Sequence, residues 1–260
     1  MLVYGAMQPY TDIFCFSTTR HGGFSEGAYA SFNCNGYCGD RHEAVARNRE
    51  LLCGLLPQRP ETLLIPHQTH GTEVRTVDEA FLQLPDAART EALEGVDALM
   101  TRIPGQCLCI STADCIPVLC YDRRLRAVAA VHAGWRGTVA RIVGKTLRQM
   151  GEVYGTRPED VVACIGPGIS LDAFEVGDEV YQAFCEAGFP MERIARRESK
   201  WHLDLWEANR LQLLEQGVPE TQVSVAGICT FRQNDKFFSA RRQGIRSGRI
   251  LSGILLMHPF

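Results

Sequence analysis

The sequence predicts one α+β domain in which helices cover mixed β-sheets. Strand-like apolar runs and stretches of helical spacing interleave from end to end. Several neighbouring strands, such as 97–101 and 106–111, have no helix between them, which argues against a regular doubly wound sheet. A chain of 260 residues, 45% hydrophobic and without a recognisable linker, is long enough for one full core, so residues 1–260 read as a single domain.

The elements follow in order. Residues 13–17 are a strand, and 19–27 a loop whose double glycine beside Arg20 and His21 lets backbone approach a ligand. Ala44, Val45, Asn48, Leu51, Leu52 and Leu55 share one face of a helix over 40–56. Residues 62–65 form a short strand running into His67 and His70, and 72–77 alternate as a strand. Residues 79–94 carry the least pattern and read as a surface excursion. Strands at 97–101 and 106–111 flank a Pro104-Gly105 turn. Residues 118–121 and 125–132 read as a hairpin turning at Asp122 to Arg124. A helix over 138–154 is predicted from the apolar face of Val139, Ile142, Val143, Thr146, Leu147 and Met150. A buried-type strand at 161–165 ends in a Gly-Pro-Gly turn. Helices at 178–187 and 204–216, then strands at 223–228 and 250–257, complete the chain.

The net charge of −3 offers no basic surplus for nucleic acid or membrane surfaces. No apolar run approaches the roughly 18 residues of a membrane span, and the N-terminus does not read as a secretory signal. Eleven cysteines, an odd number, are scattered and often lie inside apolar runs. They read as reduced core thiols of a cytoplasmic protein, not as a disulfide framework.

The chemistry concentrates in three segments. Cys115 and His132 each border a strand-like run, and residues 66–71 add His67 and His70. His70, Cys115 and His132 can be read as a three-ligand zinc site with an open position, since zinc favours imidazole and thiolate. Cys115 and His132 can equally be read as nucleophile and base. These readings compete, because a metal-bound thiolate is a poor attacker. Against both stands a core thiol with two ordinary loop histidines. Asp114 could orient a histidine or move protons, or simply cap a turn. Arg136 precedes a predicted helix start, where anions are favoured, or it is a solvated turn residue. His202 reads as structural. Arg241, Arg242, Arg246 and Arg249 form a basic stretch, a solvated face by default or else an anion clamp. No Walker loop or dinucleotide fingerprint occurs.

In these motifs the chain resembles the YfiH-like laccase-domain family, also called multicopper polyphenol oxidase-like proteins. The matching pieces run in order over nearly the whole chain. They include Thr19 to Gly23 with Tyr29 to Asn33, Gly39-Asp40 with Asn48-Arg49, and Gln68 to Gly71. Thr112 to Val118, Val131 to Gly137, Ile165 to Ser170, Phe174 to Gly177, Cys229-Thr230 and Gly248-Arg249 continue them. Cys38 and Ala240 depart from the usual residues. The resemblance implies a three-layer α/β/α domain with mixed sheets. It implies zinc held by His70, Cys115 and His132, with copper attached to older laccase assignments. It also implies phosphorolysis of adenosine, inosine and S-methyl-5'-thioadenosine with adenosine deamination, or the editing of peptidoglycan precursors. For that chemistry Asp114, Cys115 and Arg136 are the expected catalytic groups, and Arg20, Asn33 and Arg249 the expected substrate-binding ones. Purine nucleosides and phosphate are the expected partners, with the chain a monomer or small homo-oligomer. Seven scattered histidines cannot furnish the several copper sites of a multicopper oxidase.

Overall fold

The computed structural model describes residues 1–258. Its strands in chain order are β1 (Leu2–Val3), β2 (Ile13–Ser17), β3 (Thr62–Leu64), β4 (Glu73–Val77), β5 (Val96–Thr101), β6 (Gln106–Thr112) and β7 (Ile116–Asp122), then β8 (Ala127–Ala133), β9 (Val161–Ile165), β10 (Glu175–Val176), β11 (Ala195–Arg197), β12 (Trp201–Leu203), β13 (Val223–Val225) and β14 (Ile250–Leu256). Two mixed sheets dominate. One has the order β1-β2-β14-β6-β3 and the other β13-β9-β7-β8-β5-β4, while β10-β12-β11 form a small antiparallel sheet.

The β layer between the helices is itself double. Along β7, Ile116, Val118 and Cys120 point to one core and Leu119 and Tyr121 to another, as a period of two requires. The first core lies under the helices Ile142–Tyr154, Asp178–Glu186 and Leu205–Glu215. The second joins the two large sheets, with Leu108, Ile110 and Ile254 meeting Leu99, Leu119 and Val128. A third core packs Leu52 and Leu56, at the end of the helix His42–Leu55, against Phe16, Cys107, Cys109 and Leu251. Each fully buried Leu or Ile contributes roughly 1.5–3 kcal/mol. Both large sheets are therefore covered on both faces, which explains the unbroken apolar runs of β6 to β9.

Three segments differ from expectation. Residues 79–94 hold two short helices, Glu79–Leu82 and Asp86–Ala92. Asp78 caps the first by accepting from the Phe81 amide, and Phe81 and Leu93 sink into the core between the sheets. The helix predicted over 138–154 is two, Trp135–Val139 and Ile142–Tyr154, with Arg141 left-handed at φ 60° between them. Side chains stabilise this break. The Arg141 guanidinium meets Glu215 and the Ala187 carbonyl and lies over the Phe189 ring, and Gln212 Nε2 donates to the Thr138 carbonyl. The basic stretch near 240 contains a helical turn, Ala240–Gln243, whose cap Ser239 accepts from the Arg242 amide. No helix among the described residues is long and apolar enough to cross a membrane.

Candidate metal centre

The site forms where β5, β7 and β8 end together. Antiparallel pairing places Pro117 opposite His132, so Cys115 and Gly134 face each other one step beyond the paired residues. The β5–β8 register, Ala98 opposite Val131, brings Asp97 opposite His132 at the next step. His70 arrives from the loop between β3 and β4. Gln68 clamps that loop to β6 by donating to the Ser111 carbonyl (2.9 Å) and accepting from the Ser111 amide (2.7 Å).

The ligating atoms of His70, Cys115 and His132 lie within 4.8 Å of one another. The two imidazoles meet edge to face at 4.9 Å. A Cβ on Gly134 would come within 2.9 Å of His70 Cδ2 and 3.1 Å of Cys115 Sγ, so only glycine leaves this cluster room. Two nitrogens and one sulfur at this spacing match the donor set of an open three-ligand zinc site. Among the described residues this is the one cluster of three or more such groups able to hold a metal ion.

Asp97 organises the cluster. Fully buried, it accepts from His132 Nδ1 at 2.6 Å, which turns Nε2 of that ring toward Cys115. It also accepts from the amides of Thr69 (3.2 Å), His70 (3.1 Å) and Gly71 (2.7 Å). Those three bonds hold His70 at φ 65°, a left-handed conformation uncommon for a side chain of this size. Sequence reading did not single out Asp97. The signal was a carboxylate inside an otherwise apolar strand, Val96–Thr101, every residue of which is buried.

Charges in the cluster are coupled. Burial alone would push the Cys115 thiol up. The charge of His132, then hydrogen bonds from His132 and His70, overcome that and hold it at about 6. Burial would push His132 down, but the Cys115 charge and the Asp97 hydrogen bond raise it to about 9. Without metal, Cys115 and His132 are a thiolate–imidazolium pair backed by a carboxylate. Burial pushes the core thiols of Cys15, Cys109 and Cys164 up as well, and those of Cys34 and Cys120 to about 12.

A cavity of about 220 Å³ opens onto the cluster, lined among others by Tyr37, His67, Ser111, Thr112 and Arg249. The remaining sequence-derived residues fall in different places. Asp114 lies beside the site, but not on a histidine. One of its oxygens accepts from Thr230 Oγ1 (2.7 Å) and the other from the Arg241 amide (2.7 Å). Its carbonyl also accepts from the Ile169 amide. Asp114 thus ties the backbone before Cys115, at φ 87°, to three other segments, and Asp97 takes the histidine-orienting place expected of it. Arg20 does not line the cavity; its guanidinium donates to the Ala30 and Asn234 carbonyls and lies over Phe238. Arg136 is exposed inside the first turn of the helix beginning at Trp135, stacked on that ring, and also does not line the cavity. Asn33 is fully buried and holds the wall from behind, accepting from the amides of Arg249 and Asn35 and donating to Asp40. Arg249 does line the cavity, its guanidinium resting on the carbonyls of Ile245, Ser247 and Gly248.

Two packed mixed sheets, with a His-Cys-His cluster at the strand ends of the six-stranded one, define an α/β protein with a candidate metal centre. Comparison with known proteins is consistent with that class. The chain belongs to the family described as multi-copper polyphenol oxidoreductase laccase, whose model matches residues 14–257. A protein of Bacteroides thetaiotaomicron named purine nucleoside phosphorylase is 58% identical, the match covering 98% of this chain and 96% of that protein. A protein of an unknown prokaryotic organism named adenosine deaminase RL5 is 41% identical over 92% of each. The crystal structure of YlmD from Geobacillus stearothermophilus superposes with a TM-score of 0.88 at 32% identity, covering 96% of this chain and 94% of that one.

Proposed function

We propose that this protein is a zinc-dependent purine nucleoside enzyme. It cleaves adenosine, inosine and S-methyl-5'-thioadenosine with phosphate and also deaminates adenosine. The observation that carries the reading is the His70–Cys115–His132 cluster at the floor of the cavity, in a chain whose relatives bear phosphorylase and deaminase names. Zinc, when bound, supplies Lewis-acid polarisation and acidified water. The chain's own residues do the rest. Asp97 holds His132 in the tautomer that offers Nε2, and its grip on the Thr69 to Gly71 backbone orients His70. Arg249 is the cation of the cavity wall and takes the phosphate, leaving the loop carbonyls it now holds. Ser111 and Thr112 line the same wall beside it. Copper would fit the same donors, but the seven histidines do not build a multicopper oxidase. The eleven free cysteines suit a reducing cytoplasm.

A second reading has its own observation. Cys115, His132 and Asp97 are also arranged as nucleophile, base and orienting carboxylate, as a cysteine amidase acting on cell-wall precursors would need. One experiment separates the two: metal analysis of purified protein together with base release from inosine, with and without phosphate. The zinc reading predicts one zinc per chain, phosphate-dependent hypoxanthine release, and loss of both in Cys115→Ser. It is wrong if metal-free protein, or Cys115→Ser, turns over at the full rate. An amidase would instead trap an acyl group on Cys115.

A further inference from the structure

Phosphorolysis has a proton requirement that the residues above do not meet. As phosphate oxygen bonds to ribose C1′ and the C1′–N9 bond breaks, the bonding electrons pass to the purine. The departing base then needs a proton on its imidazole ring. Asp114 cannot deliver it while both its oxygens are committed to Thr230 and Arg241. Asp97 is enclosed behind His132.

His67 lines the same cavity and is built as a proton carrier. Its Nδ1 meets both oxygens of Glu94, at 2.7 and 2.9 Å. Glu94 accepts the Nδ1 hydrogen whether the ring is neutral or charged, which leaves Nε2 as the nitrogen that gains and loses the proton. Among the described residues no protein group hydrogen-bonds to that Nε2, while Glu198 lies 3.9 Å from the corresponding nitrogen of His202 and Glu61 3.0 Å from that of His258. The backbone fixes the pair as well. The His67 amide donates to the Leu93 carbonyl, and the Gly95 amide donates to the His67 carbonyl, so His67 and Glu94 are bridged side by side. The Tyr37 ring, another cavity wall, stacks on the imidazole at 4.4 Å and 17°. His67 takes no part in the metal cluster.

We propose that His67, oriented by Glu94 and braced by Tyr37, is the general acid that protonates the departing purine. This rests on the phosphorolysis reading above. The proton moves from His67 Nε2 to purine N7 as the C1′–N9 bond breaks. The proton given up by hydrogen phosphate, as its oxygen becomes the ester oxygen of ribose 1-phosphate, restores His67 through solvent. Atoms and charge balance with no further reagent. General acid catalysis of this kind contributes about 10²–10⁴-fold.

The test compares inosine with 7-methylinosine, whose base leaves neutral and needs no proton. The proteins are the zinc-loaded wild type, His67→Phe, which keeps a flat ring against Tyr37, and Glu94→Gln. Zinc content and melting temperature are measured alongside. The expected result is a fall in kcat on inosine of about 10²-fold or more for H67F and about tenfold for E94Q. On 7-methylinosine both should stay within about threefold of wild type, with zinc content unchanged. Equal losses on the two nucleosides, or no loss on inosine, overturn the assignment while leaving phosphorolysis intact. If wild-type protein releases no base in the presence of phosphate, the phosphorolysis reading fails and His67 as its acid fails with it.

Discussion

Replacing Asp97 with Asn keeps the shape of the side chain and removes half of its accepting capacity. In the wild type one oxygen accepts from His132 Nδ1 and the His70 amide, the other from the amides of Thr69 and Gly71. An Asn has a single acceptor oxygen, so its NH2 must face one of those pairs. If it faces the first, His132 must move its hydrogen to Nε2, the nitrogen needed by a metal. If it faces the second, the loop holding His70 at φ 65° loses two of its three anchors. In the first case the His70 amide goes unpaired and in the second the amides of Thr69 and Gly71, part-buried donors at about 1–3 kcal/mol each, giving about 1–6 kcal/mol of lost stability. Metal affinity should fall about 10–100-fold, as it does when a group orienting a ligand is removed. The stability effect has a definite pH sense. The His132 hydrogen bond and charge overcome burial and hold the Asp97 carboxyl below its usual value. Its contribution is present at neutral pH and lost as pH falls through that depressed value. Zinc competition against a chromophoric chelator and urea unfolding of the metal-free protein, both at neutral pH, measure the two effects. The reasoning is refuted if Asp97→Asn binds zinc within about threefold of wild type and unfolds within about 1 kcal/mol of it.

Gly134→Ala should abolish or sharply weaken zinc binding, because its Cβ falls 2.9 Å from His70 Cδ2 and 3.1 Å from Cys115 Sγ. Its φ of −70° suits alanine, so circular dichroism should show an intact fold; full zinc stoichiometry would contradict the geometry. In metal-free protein the ultraviolet thiolate band should titrate near pH 6, and His132→Gln should shift that midpoint upward by removing the cation facing the buried sulfur. An unchanged midpoint would show that His132 is not the stabilising charge. At neutral pH, iodoacetamide should label Cys115 ahead of the ten other cysteines, and zinc should protect it; mapping the alkylated peptide decides this. Asn48→Ala should cost about 2–4 kcal/mol in urea unfolding, since fully buried Asn48 accepts from the Phe24 amide and donates to the Asn33 carbonyl. Zinc stoichiometry should not change, and a stability loss below about 0.5 kcal/mol would count against this role.

Local pattern carried much of this fold. The turn at Asp122 to Arg124 joins the predicted hairpin because Asp122 Oδ1 accepts from the Arg124 and Leu125 amides, a contact within three residues. What sequence could not supply depends on distant pairing. Asp97 faces His132 only because β5 lies beside β8, 35 residues away in the chain. The helix break at Arg141 likewise depends on Glu215, Ala187 and Phe189, which local periodicity cannot register. Of the arginines expected to bind substrate, Arg249 lines the cavity while Arg20 is held by nearby carbonyls. An arginine's partners are set by the packing of whichever loops surround it. The sequence marks His67 only as a neighbour of His70, since its place in the cavity depends on the bridge to Glu94.

The competition between a ligand thiolate and a nucleophilic one turns on His70. A cysteine nucleophile needs one imidazole to take its proton and one carboxylate to orient that imidazole, and His132 with Asp97 already meets both needs. A second imidazole aimed at the same sulfur adds nothing to that chemistry. Yet the fold holds His70 in an unfavourable left-handed conformation, dedicates three hydrogen bonds to the buried Asp97 carboxylate to keeping it there, and leaves Gly134 bare so that all three donors can converge. Strain and buried polar groups are retained where the surrounding structure gains a function from them. Convergence of three donors on one point is what a metal ion requires, so His70 favours the ligand role for Cys115 more strongly than the depressed thiol alone.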